Sequence, residues 1–238
     1  MIDAVWIVRP GDRNDELRYS LRSAEANLAN TRSVTVSGHK PAWLNCHHLW
    51  TAQRDEPHVN ALTNLKAALG CSTLTERVAI FNDDFYVTSR LERLPSLHRG
   101  PLAAAITERP NPGLRTTALQ ETATLLRRLG IRDPLCYDLH TPAVFHRAEL
   151  AETLDVIAAY THGWDPDRAA RILWKTVHGN LHPTHHTQPG ADVKIRHLET
   201  TTWPAPLLST TDLTFTYGAV GHHIRNLLPH PSRYEATQ

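Results

Sequence analysis

A chain of 238 residues is long enough for one substantial α/β core, with room for a small appended subdomain. Its 41% hydrophobic and 21% charged residues are ordinary for a soluble globular protein, and a formal net charge of +1 argues for neither a nucleic-acid partner nor a membrane surface. Cys46, Cys71 and Cys136 are odd in number and lie in no ligand-like spacing, which reads as reduced thiols in a cytoplasmic setting.

The start, Met1-Ile2-Asp3-Ala4-Val5-Trp6, has neither a basic n-region nor a cleavage site, so no signal peptide is expected, and no apolar run is long enough for a transmembrane segment. Ile2 to Val8 is predicted as a first, central strand that breaks at the turn sequence Arg9-Pro10-Gly11-Asp12. Asn14 or Asp15 can cap a helix running to about Asn30, with Leu17, Leu21, Ala24 and Leu28 on one face and Arg18 and Arg22 one turn apart beside it. Strand, tight loop and helix N-terminus form an anion site, to which Arg9 and Arg18 can add charge-assisted contacts with a diphosphate. The spacing equally allows both arginines to be surface side chains paired with Asp12 and Glu16.

Ser33 to Ser37 reads as a second short strand ended by Gly38, Lys40 to Leu44 as a loop anchored by Trp43, and His47 to Trp50 as a third strand. Asp55-Glu56-Pro57 starts a helix carrying Val59, Leu62, Leu65, Ala68 and Leu69 and closed by Gly70. Asn60 and Asn64 lie i, i+4 on it, off the apolar stripe, which suggests hydrogen-bonding duty. The run from Val78 to Val87 reads as a buried strand interrupted by Asn82-Asp83-Asp84. Alternating strands and helices up to that point predict a largely parallel sheet flanked by helices, with ligands at the carboxyl ends of its strands. The Arg9–Asp12 loop and Asn82-Asp83-Asp84 would then share one edge. Two adjacent buried carboxylates need a compensating cation, and oxygen ligands suit Mg²⁺ or Mn²⁺, although a solvated turn would carry the same letters.

Beyond Val87 the chain is irregular, with a breaker cluster at Arg109-Pro110-Asn111-Pro112-Gly113. Helices are predicted over about Arg115–Leu129, with Leu119, Ala123, Leu126 and Leu129 inward, over Ala148–Tyr160, and after Asp165-Pro166. His140, before Thr141-Pro142, can be an active-site base or phosphate contact, or a hydrogen-bonded loop histidine. His178, His182, His185 and His186 cluster among Gly179, Pro183 and Pro189 without a zinc-site pattern, and read as an exposed loop. A last helix is predicted over about Thr214–Leu228. With no internal repeat, residues 1–238 read as one domain with an embellished second half, residues 1–100 carrying the sheet and 101–238 the later helices.

Glu16-Leu17-Arg18-Tyr19-Ser20-Leu21-Arg22-Ser23, then Pro41-Ala42-Trp43-Leu44, then Phe81-Asn82-Asp83-Asp84-Phe85 stand in an order and spacing that resembles the second block of the Stealth family of sugar-phosphate transferases. That family includes bacterial capsule polymerases and the lysosomal-targeting N-acetylglucosamine-1-phosphotransferase, and the chain is also similar to small glycosyltransferases of bacteriophages. Ile2 to Trp6 with Gly11-Asp12, His140-Thr141-Pro142, and Asp212 with Pro229-His230-Pro231-Ser232-Arg233-Tyr234-Glu235 resemble the other blocks, Arg9-Pro10 departing from the usual first one. The resemblance implies a GT-A-like, Rossmann-like nucleotide-sugar domain and a metal-dependent transfer from a nucleotide-activated sugar, most readily a UDP-sugar with Mn²⁺ or Mg²⁺. It implies Asp83 and Asp84 as a DxD-like metal site, Asn82 as their hydrogen-bonding neighbour, Gly11, Asp12, Arg18 and Arg22 at the donor edge, and His140 and Asp212 at the reaction centre.

Two outcomes share this machinery: glycosyl transfer to an acceptor hydroxyl of a glycan or protein, releasing a nucleoside diphosphate, or transfer of hexose-1-phosphate, releasing a monophosphate. The simpler glycosyltransferase is the first expectation. A metal-dependent phosphohydrolase and a non-catalytic nucleotide-sugar-binding protein on the same fold are the rivals from other classes.

Overall fold

The structure, a computed structural model, describes residues 1–11, 13–108, 113–184 and 186–236. The expectations placed on Asp12, His185 and the breaker residues 109–112 therefore lie outside the described residues. In chain order the elements are β1 (Ile2–Val8), α1 (Asp15–Asn27), β2 (Thr31–Gly38), β3 (His47–Trp50), α2 (Pro57–Leu69), β4 (Arg77–Asn82), β5 (Phe85–Val87), β6 (Leu97–His98), α3 (Leu102–Thr107) and α4 (Leu114–Arg128). They continue with β7 (Ala143–His146), α5 (Arg147–Tyr160), α6 (Pro166–Ala169), α7 (Trp174–Leu181), β8 (Gln188–Pro189), β9 (Leu207–Ser209), α8 (Asp212–Tyr217) and α9 (Ala219–Leu227). No helix among the described residues is long and apolar enough to cross a membrane.

The chain forms two compact units, neither continuous in sequence, rather than halves meeting at residue 100. The first comprises 1–94, 140–145 and 192–238, because the late segments return to complete the sheet region begun by the early ones. The second comprises 95–139 and 146–191 and is built from α3 to α7 with the short parallel pair β6–β8.

The fold of the first unit is mixed α/β, a five-stranded sheet of order β3-β2-β1-β4-β7 with helices against it. β1 pairs in parallel with β2 and β4, and β2 with β3, as the alternation of strands and helices predicts. Period-two alternation sends Ala4, Trp6 and Val8 into one core with Leu17, Leu21 and Ala24 of α1, Val36 of β2 and Phe81 of β4. Trp6 stacks on Phe81 with ring centroids 4.6 Å apart, and its indole N–H donates to Ser20 of α1 at 2.8 Å. At the opposite end of β1 the buried Asp3 carboxylate accepts from Arg32, Ser33 and Thr75, tying β1, β2 and the entry to β4 together.

The single strand expected from Val78 to Val87 is two. β4 ends at Asn82, Asp83-Asp84 make a two-residue turn, and β5 leaves the main sheet to pair antiparallel with β9. The other edge of β5 is satisfied by side chains of α1, not by a strand. Ser20 donates to Phe85 O, Ser23 accepts from Val87 N at 3.0 Å, and Asn27 donates to Val87 O at 2.7 Å. Those three polar residues sit three and four apart on one helix face, so α1 serves as a surrogate strand that fixes the Asp83-Asp84 turn. Tyr86 points to the other side, into a second cluster with Leu208, Phe215, Val220 and Ile224. The expected last helix is divided at Gly218 into α8 and α9, where a Cβ would lie 2.6 Å from Thr214 O.

The second unit corrects two further expectations. In α4, Ala118, Leu119, Thr122, Leu125 and Leu126 are buried, while Leu129 lies beyond the helix and is exposed. The histidine cluster does not begin as a loop. His178 is buried on α7 with Nδ1 3.0 Å from Thr153 Oγ1 of α5, because Trp174 to Leu181 forms a helical turn that Gly179 does not break.

Candidate functional site

The sheet order reverses at β1: the chain moves from β1 outward to β2 and β3, then returns to the other side with β4. In open α/β sheets ligands bind beyond the carboxyl ends of the strands at such a reversal, which here is the rim formed by the ends of β1 and β4. The register is level at this edge, Ile7 lying opposite Asn82 and Val8 opposite Gly38. Arg9 follows β1 and Asp83-Asp84 follow β4, so both expected segments reach the same rim.

Asp83 and Asp84 are buried, at 9% and 6% exposure. Asp84 is fully engaged: Lys194 Nζ lies 2.6 Å from Oδ2, and His140 Nε2 lies 3.0 and 3.2 Å from the two oxygens. Burial acts to raise the Asp84 pKa, but His140 and Lys194 outweigh it and hold it at about 2. An ionised carboxylate only accepts, so Nε2 carries the hydrogen toward Asp84, and in a neutral ring the lone pair falls on Nδ1. His140 is further positioned by its backbone N–H, which donates to Asp192 at 2.8 Å, and by the edge of Phe85.

Asp83 is less well compensated. Its nearest cation is Arg9, with Nε 3.7 Å from Oδ2, and burial together with the charge of Asp84 pushes its pKa up to about 7. The Arg9 guanidinium also bonds Asp212 at the start of α8 and lies 3.5 Å from Glu16 in the first turn of α1. Glu16 is pushed up to about 9 by burial and by Asp212, with which it shares a proton, while Thr210 donates to its Oε1 at 2.7 Å. Four carboxyl groups from three chain segments, Glu16, the Asp83-Asp84 turn and Asp212, thus surround Arg9 and Lys194. Burial and neighbouring carboxylates raise both Glu16 and Asp83 above the ordinary carboxylate range, the direction that a site short of positive charge produces.

Of the residues expected at the site, the structure brings together Arg9, Asp83, Asp84, His140 and Asp212. Asn82 ends β4 at the same rim, and Gly11 is exposed on the loop, where a Cβ would meet the Asn14 amide at 3.1 Å. Asn14 does not cap α1 through its side chain; with φ 49° it donates instead to Arg9 O at 3.1 Å and braces the loop.

Arg18 and Arg22 do not line the donor edge. Arg22 is buried and makes a bidentate pair with Glu235 at 2.7 and 2.8 Å, donating also to Leu228 O. Arg18 stacks over Trp43 and approaches the same Glu235. Asn60 and Asn64 are buried braces. Asn60 binds both backbone groups of Arg54, and Asn64 donates to Val8 O at 3.2 Å while accepting from Thr51 and Gln53. They hydrogen-bond, as expected, but to the chain itself.

Glu16 and Lys194 are the charged residues of the site that sequence reasoning did not single out. Glu16 stands in the first turn of a helix, where acids are common for reasons unrelated to a site. Lys194 sits in an irregular segment whose only signal is the polar alternation Asp192, Lys194, Arg196.

The donor set suits a hard divalent cation. It is all carboxylate at the rim, and Mg²⁺-type ions are held by one or two carboxylates together with substrate phosphates. Among the described residues no three His, Cys, Asp or Glu side chains are arranged about a common point, so the protein alone would supply Asp83 and Asp84.

No family model matches the chain, and no curated protein matches it significantly. Among solved structures it is similar to 2-C-methyl-D-erythritol 4-phosphate cytidylyltransferase from Thermus thermophilus, at 12% identity over 79% of this chain and 88% of that one, with a TM-score of 0.37.

Proposed function

We propose that this chain is a transferase that takes its donor, a nucleotide-activated sugar, at the β1/β4 rim and delivers the glycosyl group to an acceptor hydroxyl. The observation that carries the reading is the convergence of Arg9, Asp83, Asp84, His140, Lys194 and Asp212 where the strand order reverses. The undercompensated carboxylates favour a cation-linked diphosphate over a neutral ligand. Asp83 and Asp84 would hold Mn²⁺ or Mg²⁺, which when bound supplies neutralisation of the diphosphate.

The chain's own groups do the rest. Arg9, held between Asp83 and Asp212, is aimed to take the negative charge that grows on the leaving diphosphate. Asp84 orients His140 through Nε2, so Nδ1 accepts the proton of the attacking hydroxyl. Asp212 holds Arg9 in place and shares the proton of Glu16.

A second reading, hexose-1-phosphate transfer from the same donor class, is favoured by one observation. Residues from separate stretches that carry the resemblance to Stealth proteins meet one another: Arg18 with Trp43, Arg22 with Glu235, and Leu44 in a bridge with Glu235. A GT-A-like domain of that family is the reading's structural counterpart.

The test is a thermal-shift screen of nucleotide sugars with and without Mn²⁺. A UDP-sugar is expected to raise the melting temperature in a metal-dependent way, by mass action. Asp84→Ala is expected to abolish the metal dependence, and a variant keeping the full shift removes Asp84 from the site. Analysis of the spent donor separates the two chemistries, diphosphate for glycoside formation and monophosphate for phosphosugar transfer.

A further inference from the structure

Lys194 is rooted firmly and ends freely. Its backbone is fixed beside β9, where Ile195 N donates to Ser209 O at 2.8 Å and Ser209 N to Val193 O at 3.0 Å. The segment also carries Asp192, which holds the backbone of His140. Its ammonium lies on Asp84 Oδ2 at 2.6 Å and 3.5 Å from His140 Nε2, with the side chain 20% exposed at the rim. A lysine head is a compact charge on a flexible four-carbon stem, so it can change partners without moving the backbone. Arg9 differs: it is pinned among Glu16, Asp83 and Asp212.

The oxygen that Lys194 occupies is one that a divalent cation at Asp84 would need. Two cations cannot both hold Oδ2 at contact distance without strong repulsion. When a cation takes the carboxylate, the displaced ammonium is left among carboxyl groups that already face Arg9. The compensating negative charge arrives with the donor's phosphates.

We propose that Lys194 is an exchangeable counter-ion: it neutralises Asp84 at the empty rim, yields Oδ2 to a divalent cation, and moves onto the donor diphosphate. Lys194 thereby couples cation binding to nucleotide binding and keeps the unloaded carboxylate from standing uncompensated. The diphosphate half rests on the nucleotide-sugar reading, whereas the competition with a cation at Asp84 does not.

The experiment uses the full chain, Mn²⁺ alone and UDP alone as probes, and Lys194→Gln, which removes the charge while keeping much of the length. Free-Mn²⁺ titration followed by electron paramagnetic resonance is expected to show tighter Mn²⁺ binding by Lys194→Gln than by wild type. Calorimetric titration with UDP in saturating Mn²⁺ is expected to show binding weakened by about tenfold or more. The opposite signs are the signature, since a purely structural lysine would weaken both ligands together. Weakening of both, or a change in neither, overturns the proposal.

Should Lys194→Gln not fold, Lys194→Arg carries the cation arm. A guanidinium forks onto a carboxylate and is harder to displace, so Mn²⁺ is expected to bind more weakly than to wild type, and equal binding overturns the proposal. If wild type binds Mn²⁺ but no nucleoside diphosphate of any base, the nucleotide-sugar reading and the diphosphate half fail together, while the Mn²⁺ arm still decides the cation half. If wild type binds both and Lys194→Gln changes neither, the reading stands and this inference falls.

Discussion

Asn64 shows what one residue's letters disclose and what they withhold. Two asparagines one turn apart on an otherwise good helix signalled hydrogen bonding, because asparagine costs helix propensity without such a return. The partners were illegible, since periodicity reports a face and not what lies across it. In the fold the Asn64 amide reaches Val8 O, immediately before Arg9, and its oxygen serves Thr51 and Gln53. Asn64→Leu should therefore take away the acceptor of the Thr51 hydroxyl and the Gln53 amide and one of the two donors to Val8 O, which His39 N still holds at 3.1 Å, and destabilise the protein by about 2 kcal/mol. Urea unfolding checks the magnitude, and a loss below about 0.5 kcal/mol would mean that water takes over these bonds. Lys194 and Glu16 were missed for the converse reason: nothing local distinguishes a lysine in an irregular segment or an acid in a first helical turn from a solvated one, and only the tertiary fold brings each beside a buried charge.

At the scale of elements, β1, β2, β3 and α2 lay close to where alternation and turn residues put them, because each buries one face against the same sheet. Asn82-Asp83-Asp84 marked an interruption between β4 and β5, but that β5 leaves for another sheet was hidden, since both halves are equally apolar and a change of partner leaves no mark in the pattern. Seen in space, the closing residues Ser232 to Glu235 act as a clasp. Glu235 grips Arg22 of α1 and accepts from Ser232 N at 2.8 Å, and Tyr234 O receives Asn45 N from the loop that follows Trp43. Burial acts to raise the Glu235 pKa, but the bonds from Arg22 and Ser232 outweigh it and hold the group below the ordinary value. Glu235→Ala leaves a buried guanidinium unpaired and should cost about 3 kcal/mol or more. Arg233→Ala removes an exposed pair with Glu25 and the contact of an exposed guanidinium with Tyr234, and should stay within about 1 kcal/mol. Parallel melts of the two variants check the contrast. The clasp's own contribution is present above the ordinary glutamate pKa and is lost as pH falls through the lower, folded value.

For the whole molecule, the parallel sheet and the shared rim of Arg9 and Asp83-Asp84 were legible because strand–helix alternation leaves few topologies. The discontinuous units were not, since nothing in 140–145 or 192–238 announces a return to the first ninety-four residues. The pH dependence of stability is a property at this scale, the sum of groups in both units. Glu16, its pKa pushed up to about 9 by burial and Asp212, ionises at the ordinary 4.5 once unfolded, so folding binds the extra proton and stability falls as pH rises across that window. Asp83, raised to about 7 by burial and Asp84, adds to the same side. His178 opposes them: burial and His182 depress it from 6.5 to about 4, so its contribution is complete above the unfolded value and is lost as pH falls toward the folded one. Each group contributes a slope of about 1.4 kcal/mol per pH unit within its window. Between the Glu16 and His178 reference values two slopes point down and one points up, and above them only downward slopes remain. The ligand-free protein should therefore be most stable in mild acid and lose stability steadily toward alkaline pH. Glu16→Gln keeps an amide donor for Asp212 and an acceptor for Thr210 but has no proton to lose. Its profile should be nearly level through mild acid, and it should exceed wild type by a margin that widens as pH rises toward 9. Chemical denaturation in the absence of metal, at matched ionic strength across this range, measures both curves. Parallel curves would show that Glu16 ionises as an exposed acid does, and that the rim holds no deficit of positive charge for a cation to fill.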